Sequence, residues 1–137
     1  MRNRILFFGF VLFTAFQSIY ADDLYHRKGE LKDFVTVSQQ EAQYILSNYN
    51  LLSSVAGNTN NLSSNTLKDI GCVSAYTDSQ MIWTIWNRCP KPIKFTAEFR
   101  QGFYTVNFDD KLGPNVKATT GLNYTWELVF LHDSYDQ

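Results

Sequence analysis

The sequence predicts an α+β domain: one N-terminal amphipathic helix packed on a mostly antiparallel sheet of five to six strands, held by one disulfide. The sheet is expected to fold as a small sandwich or a partly open barrel. Three observations predict this class. A helix-start pattern at residues 38–41 precedes apolar residues at helical spacing, apolar and polar residues alternate along much of the chain beyond residue 71, and the chain contains one pair of cysteines.

The first 21 residues have the pattern of a secretory signal peptide. Arg2 and Arg4 precede an uncharged, mostly apolar run over residues 5–16, and Ala21 precedes the acidic pair Asp22-Asp23. A membrane-spanning helix needs roughly 20 apolar residues, more than this run provides. We therefore expect cleavage after Ala21 and a secreted or periplasmic protein, with residues 22–137 forming a single exported domain.

The charge balance argues against nucleic acid as a partner. Removing Arg2 and Arg4 with the leader leaves ten basic residues against thirteen acidic ones. Proteins that bind nucleic-acid phosphates usually carry clustered Lys and Arg and a net positive charge. The partner expected from this sequence is therefore not a nucleic acid.

Cys72 and Cys89 are the two cysteines of the chain. In an oxidising compartment such a pair is expected to form a disulfide. Their spacing matches neither a Cys-x-x-Cys redox motif nor a zinc site, so we predict a structural crosslink without a metal or cofactor. The disulfide should stabilise the domain by roughly 3 kcal/mol.

Before the sheet, residues 22–33 are polar and are expected to form a mobile lead-in, followed by a short β-prone run at residues 34–37. Ser38 and Glu41 form a capping-box pattern that predicts a helix start. The apolar stripe that follows consists of Ala42, Ile45, Leu46, Tyr49 and Leu52. Residues 53–66, rich in Ser and Asn, predict a flexible loop that is either functional or disordered.

Alternation with a period of two predicts strands over residues 93–99 and 104–108. Residues 109–115 are interpreted as a break, residues 116–119 as a weak strand and residues 124–132 as a strong strand with a central position. Residues 72–77 and 81–86 are expected to pair as a hairpin. A direct crosslink between Cys72 and Cys89 would centre its turn on Gln80-Met81, whereas Asp78-Ser79 are better turn residues. A longer loop, a bulge or a diagonal bridge would each resolve this difference.

Candidates for catalysis are few. His132 lies next to Asp133 near the end of the last predicted strand, and Asp110 lies in a predicted break. A small hydrolase using His132 with Asp133 or Asp110 is one hypothesis, but no nucleophile elbow accompanies these residues. No calcium-loop, phosphate-loop or dinucleotide pattern is present either. The sequence therefore favours a protein that is not an enzyme and holds no metal or cofactor.

The high aromatic content is the feature that speaks for a binding function, because aromatic side chains supply much of the energy at recognition surfaces as well as much of the packing in small cores. The strand at residues 81–86 carries Trp83 and Trp86 on opposite faces, so one is partly exposed unless the helix or the loop covers it. Candidate binding residues come from this strand, the next hairpin and the long loop: Trp83, Trp86, Tyr104, Asn58 and Asn60.

These features favour an exported protein that recognises another protein, in the manner of an inhibitor or an immunity factor. The alternatives are a carbohydrate or small-ligand module with Trp and Tyr at a barrel mouth, and a small secreted hydrolase, toxin or effector. Asn61 and Asn123 begin Asn-x-Ser/Thr patterns, which carry meaning only in a host that glycosylates exported proteins.

Overall fold

The computed structural model describes residues 25–54 and 71–136, which form nine strands and one helix. The helix is α1 (Gln39–Asn48), between β2 and β3. The strands are β1 (His26–Lys28), β2 (Lys32–Thr36), β3 (Leu52–Ser53), β4 (Val73–Thr77), β5 (Ile82–Asn87), β6 (Ile93–Gln101), β7 (Tyr104–Leu112), β8 (Val116–Asn123) and β9 (Glu127–Tyr135).

The strands form two sheets. Sheet A has the order β1-β7-β6-β9, and sheet B has the order β2-β8-β5-β4-β3. Neighbouring strands are antiparallel in every pair except β1 and β7, which are parallel. The described part of the chain is therefore a small, β-rich single domain with one short helix, and it has more strands than the five to six that the sequence predicts.

One hydrophobic core fills the space between the two sheets. On β6 the alternation predicted from the sequence is confirmed, because Ile93, Phe95, Ala97 and Phe99 are all buried. Residues from both sheets complete this core, including Val73, Ala75, Ile85, Val106, Phe108, Ala118 and Leu131. Burial of each large apolar side chain contributes roughly 1.5 to 3 kcal/mol. The interior is thus occupied by side chains, which gives no support to a ligand site inside a barrel mouth.

Strand β9 differs from its sequence interpretation in two ways. It is the last strand of sheet A in the described structure, not a central one. Its pairing with β6 also shifts by one residue, so that Phe130 pairs with Glu98 while Leu128 pairs with Phe99. This bulge turns both Leu128 and Leu131 toward the core, although strict alternation would place them on opposite faces.

The predicted disulfide between Cys72 and Cys89 is present. The β4–β5 hairpin pairs Val73 with Asn87 and Thr77 with Trp83, a register that centres its turn on Gln80. Cys72 therefore lies opposite Arg88, whose backbone N–H donates to the Cys72 carbonyl at 2.8 Å, and the disulfide reaches one residue further. Cys72 and Cys89 are therefore not directly opposite each other in the hairpin, and the disulfide joins positions that are offset by one residue.

The disulfide lies beside a buried carboxylate. Asp133 on β9 is completely buried, and its Oδ2 accepts the backbone N–H groups of Cys72 at 2.8 Å and Val73 at 2.9 Å. A charged acceptor on two backbone donors is one of the stronger hydrogen-bond arrangements in proteins. This contact links β9 of sheet A to the start of β4 in sheet B.

The segment interpreted from sequence as a lead-in contains β1 and the start of β2. Strand β1 runs beside β7, and the Gly29 N–H continues the pairing by donating to the Asn107 carbonyl at 2.7 Å. A Cβ atom at Gly29 would lie 2.4 Å from the Phe108 ring, so only glycine permits this close approach. Leu31 then enters the main core. Strands β1 and β2 are short, exposed and paired through backbone hydrogen bonds, so they show little of the apolar–polar alternation by which strands are predicted from sequence.

Helix α1 covers part of the outer face of sheet B. Ser38 caps it by accepting the Glu41 N–H at 3.1 Å, but the Glu41 side chain forms an ion pair with Lys117 of β8 and does not reach back to Ser38. Ile45 is buried in a second cluster, with Val37, Tyr76 and Trp86. The stripe predicted from sequence is shorter in the structure: Leu46 is exposed, and Leu52 lies beyond the helix in β3.

We expect this cluster to make the stability of the domain fall at alkaline pH. Burial raises the pKa of the Tyr76 hydroxyl well above its ordinary value, and the nearby carboxylates of Glu41 and Asp78 raise it further. The folded chain therefore holds this proton more tightly than the unfolded chain does. Its contribution to stability is fully present below the unfolded pKa of about 10 and is lost as the pH rises above that value.

We expect the Tyr76→Phe variant to lose less stability than the wild type when the pH is raised from about 8 to about 10.5. Urea unfolding followed by tryptophan fluorescence at both pH values measures the difference. Tyr44→Phe is the matched control, because Tyr44 lies exposed on the same helix that covers Tyr76. An equal alkaline loss in all three chains would contradict the expectation.

Candidate binding surface

Three chain connections emerge together at the end of the sandwich opposite the disulfide. They join β4 to β5, β6 to β7 and β8 to β9. Their proximity follows from the strand registers: Ile82 at the start of β5 pairs with Asn123 at the end of β8, and Arg100 near the end of β6 pairs with Glu127 at the start of β9. We call the surface formed by residues 78–81, 101–104 and 123–126 the loop end.

Each connection of the loop end presents one exposed apolar side chain at its tip. The exposed fraction is 55% for Met81, 86% for Phe103 and 59% for Tyr124. Single exposed apolar residues are common on protein surfaces, but contiguous apolar patches mark interaction sites. Three neighbouring connections with this feature make the loop end the candidate contact surface.

The second connection also carries Tyr104, the first residue of β7. Tyr104 is 42% exposed, and its ring stacks on that of Tyr25 with 5.5 Å between the centroids. Tyr25 directly precedes β1, and the parallel pairing of β1 with β7 places it here. The stacked pair holds both rings in one orientation, so less side-chain entropy remains to be lost when a partner binds.

Local hydrogen bonds hold the tips in place. In the first connection the Asp78 carboxylate accepts the backbone N–H groups of Gln80 at 2.8 Å and Ile82 at 3.0 Å. In the third, the Asn123 side chain accepts the Thr125 N–H at 3.0 Å. Gln101 then donates to the Thr125 hydroxyl at 2.6 Å and joins the second connection to the third. Hydrogen bonds within and between the turns therefore fix the backbone that carries the exposed tips.

Two backbone conformations at the tips are left-handed. Gly102 has φ +61°, which glycine adopts without cost. Met81 has φ +63°, a conformation that costs a residue with a Cβ roughly 1 kcal/mol or more. Strain of this kind concentrates at functional surfaces. An exposed Met at a strained position supports a contact role for the first tip.

The loop end carries little charge. Between the apolar tips lie neutral polar residues, namely Ser79, Gln80, Gln101, Asn123 and Thr125. The carboxylate of Asp78 is engaged by its own turn. Interface centres are depleted in charged residues and enriched in Tyr, Phe and Met, which is the composition found here.

The five binding residues proposed from sequence have different locations. Tyr104 lies at the loop end. Trp86 is buried under helix α1, which covers the second face of β5 and leaves no exposed tryptophan ring there. Trp83 is half-buried against the main core, and its Nε1 donates to the Trp126 carbonyl at 2.9 Å. Asn58 and Asn60 lie outside the described residues, as does the glycosylation-pattern residue Asn61.

The side chains of the proposed hydrolase do not converge. His132 and Asp133 are consecutive on β9, so they point to opposite faces of sheet A. Asp133 is directed inward to the backbone of Cys72 and Val73, whereas His132 pairs with Thr96, whose position is on the outer face. Asp110 pairs with Phe95 on β6 and is exposed, whereas Asp133, which pairs with Phe95 from the other side, is buried.

Sequence reasoning did not single out Met81, Phe103, Tyr124 or Tyr25 as contact residues. Phe103 follows a turn glycine, which is the one local signal for an exposed aromatic at that tip. The sequence predicts Tyr124 in the last strand, but that strand begins at Glu127. The location of Tyr25 depends on a parallel strand pair that no local pattern indicates.

Residues 25–54 and 71–136 contain no helix long and apolar enough to cross a bilayer. The same residues contain no group of three or more His, Cys, Asp or Glu side chains placed to hold a metal ion. No protein-family model, curated protein or solved structure matches the chain.

Proposed function

We propose that this chain is an exported, non-enzymatic binding protein that recognises another protein through its loop end, as an inhibitor or immunity factor does. The observation that carries the proposal is the set of three neighbouring turns, each with an exposed apolar tip. Aromatic residues on turns held by hydrogen bonds supply large contact areas and lose little conformational entropy on binding. Aromatic residues are also frequent among those that dominate binding energy.

The proposal includes export. The leader pattern at residues 1–21 lies outside the described residues, and its cleavage after Ala21 is part of what we propose. The Cys72–Cys89 disulfide supports it, because structural disulfides persist in oxidising compartments. The disulfide lies at the end of the sandwich opposite the loop end, so it braces the frame without occupying the recognition surface.

The test is capture from the secreted or periplasmic fraction of the host by immobilised residues 22–137. The loop-end variant Phe103→Ser/Tyr124→Ser should retain at least tenfold less of the captured protein, because two aromatic anchors together contribute on the order of 2 kcal/mol or more. The matched control is Tyr44→Ser/Leu46→Ser, which removes two exposed apolar side chains from helix α1. It should retain as much as the wild type.

Equal retention by all three chains would refute the proposal, and so would a loss confined to the helix variant. All the substituted side chains are exposed, so the three chains should unfold at the same temperature. Co-sedimentation with phosphatidylcholine vesicles is a further arm. Binding to vesicles that depends on Phe103 and Tyr124 would reassign the loop end to a lipid surface and overturn the choice of a protein partner.

A further inference from the structure

The outer face of sheet A contains an open groove of about 610 Å³. All four strands of the sheet contribute to its walls, with His26 and Lys28 from β1, Asn107 and Asp109 from β7, Glu98 from β6 and Phe130 from β9. This volume lies within the range of small-ligand sites. The groove is separate from the loop end and shares no lining residue with it.

The registers of the strands arrange the groove in rows. One row runs from Lys28 to Asn107, then to Glu98 and finally to Phe130. Neighbouring strands are about 4.8 Å apart, so the row spans roughly 14 Å. It begins with an ammonium group, continues through an amide and a carboxylate, and ends on a half-buried aromatic ring.

The Phe130 ring at the end of the row offers a platform for stacking, and the His132 ring is tilted against it. The Phe130 ring lies 6.2 Å from that of His132, with 31° between the two planes. The face of an aromatic ring carries partial negative charge and attracts the C–H groups of a saturated ring placed on it. Sugar rings offer such C–H faces together with hydroxyl groups at their edges.

The polar part of the row suits those hydroxyl groups. Asn107 offers both a donor and an acceptor, and the carboxylates of Glu98 and Asp109 accept hydrogen bonds from hydroxyls. Neighbours hold the two carboxylates in place: Arg100 Nη2 lies 3.1 Å from Glu98 Oε2, and the Thr96 hydroxyl donates to Asp109 at 3.4 Å. Positioned acceptors next to an apolar platform discriminate between hydroxyl arrangements.

The charged residues that line the groove balance in sign. They are two basic residues, Arg27 and Lys28, and two acidic residues, Glu98 and Asp109. A charged ligand of either sign would therefore meet attraction from one pair and repulsion from the other, so the lining favours neither sign. A neutral ligand rich in hydroxyl groups can hydrogen-bond to the basic and the acidic groups alike.

From this combination we infer that the groove on sheet A is a binding site for a short neutral oligosaccharide. One sugar ring of the ligand stacks on Phe130, and its hydroxyl groups form hydrogen bonds with Glu98, Asn107 and Asp109. This site is independent of the protein-binding function proposed for the loop end, and either can hold without the other.

The probe is a printed array of neutral, sialylated and sulfated glycans, incubated with residues 22–137. We expect binding to one or more neutral glycans. Phe130→Ala should weaken the binding of the best glycan at least tenfold, and the side-chain amide signals of Asn107 should shift when that glycan is added in an NMR titration. Tyr135→Ala is the matched control, because Tyr135 is an exposed aromatic on the same strand outside the groove. It should bind as the wild type does.

Absence of binding to every neutral glycan would overturn the inference, and so would binding confined to sialylated or sulfated glycans. Equal binding by wild type and Phe130→Ala would do the same. The loop-end variant Phe103→Ser/Tyr124→Ser should keep its glycan binding. Failure of the loop-end proposal and failure of the groove proposal are therefore distinguishable in the same set of variants.

Discussion

Replacing Asp133 by alanine is expected to lower the free energy of unfolding by about 2 to 6 kcal/mol, because two buried backbone N–H groups lose their acceptor and each costs roughly 1 to 3 kcal/mol. Oδ2 of Asp133 accepts the N–H groups of Cys72 and Val73, and the side chain is completely buried. Alanine also leaves a small void in the space that the carboxyl group filled. Urea unfolding at neutral pH measures the loss.

Asp133→Asn separates the loss of the acceptor from the loss of volume. The asparagine side chain keeps the shape of aspartate and can direct its one oxygen at the N–H groups of Cys72 and Val73, but it no longer has a second acceptor oxygen. We therefore expect a stability between those of the wild type and Asp133→Ala. Asp136→Ala is the matched control. Asp136 pairs with Lys111 at 3.7 Å near the surface, a contact worth 1 kcal/mol or less. A loss in Asp133→Ala no larger than in this control would refute the structural role of the carboxylate.

Removing the disulfide is the second change with a large expected effect. The Cys72→Ala/Cys89→Ala variant should lose about 3 kcal/mol, since the bridge closes a short loop and restricts the unfolded chain. The sequence separation of the two cysteines is 17 residues. Urea unfolding of this variant, compared with wild-type protein before and after reduction by dithiothreitol, measures the effect. Wild type whose stability is unchanged by reduction would contradict it.

The disulfide and Asp133 should not act independently. Cys72 contributes its sulfur to the bridge and its N–H group to the carboxylate, so the bridge holds in position a donor that Asp133 needs. Combining the cysteine variant with Asp133→Ala should therefore cost less than the two separate losses added together, by at least about 0.5 kcal/mol. Simple additivity in this double-mutant cycle would show that the two contacts stabilise the domain separately.

Local patterns in the sequence predicted the parts of the fold that depend on local chemistry. The alternation on β6, the Ser38 cap and the disulfide all appear in the structure. These features depend on neighbouring residues or on a single cysteine pair, and a sequence displays both. The same reasoning placed an aromatic binding contact at Tyr104, which the structure locates at the loop end; its role in binding stays a prediction.

The features that sequence reasoning missed depend on distant pairing. Strand β1 is three residues long and polar, so it has no alternation to detect, and only its pairing with β7 creates a strand there. Trp86 was a candidate contact because a strand has two faces, and a strand alone does not show that a helix covers one of them. The bulge in β9 likewise arises from its pairing with β6.

The pairing of the first strands with late strands has a consequence for the order in which the domain assembles. Strand β1 pairs with β7 and strand β2 with β8, so neither sheet can be completed until most of the chain is available. Contacts between residues far apart in sequence slow folding, because a long loop must close before they form. The nascent chain can therefore complete its two sheets only after β8 and β9 have been synthesised.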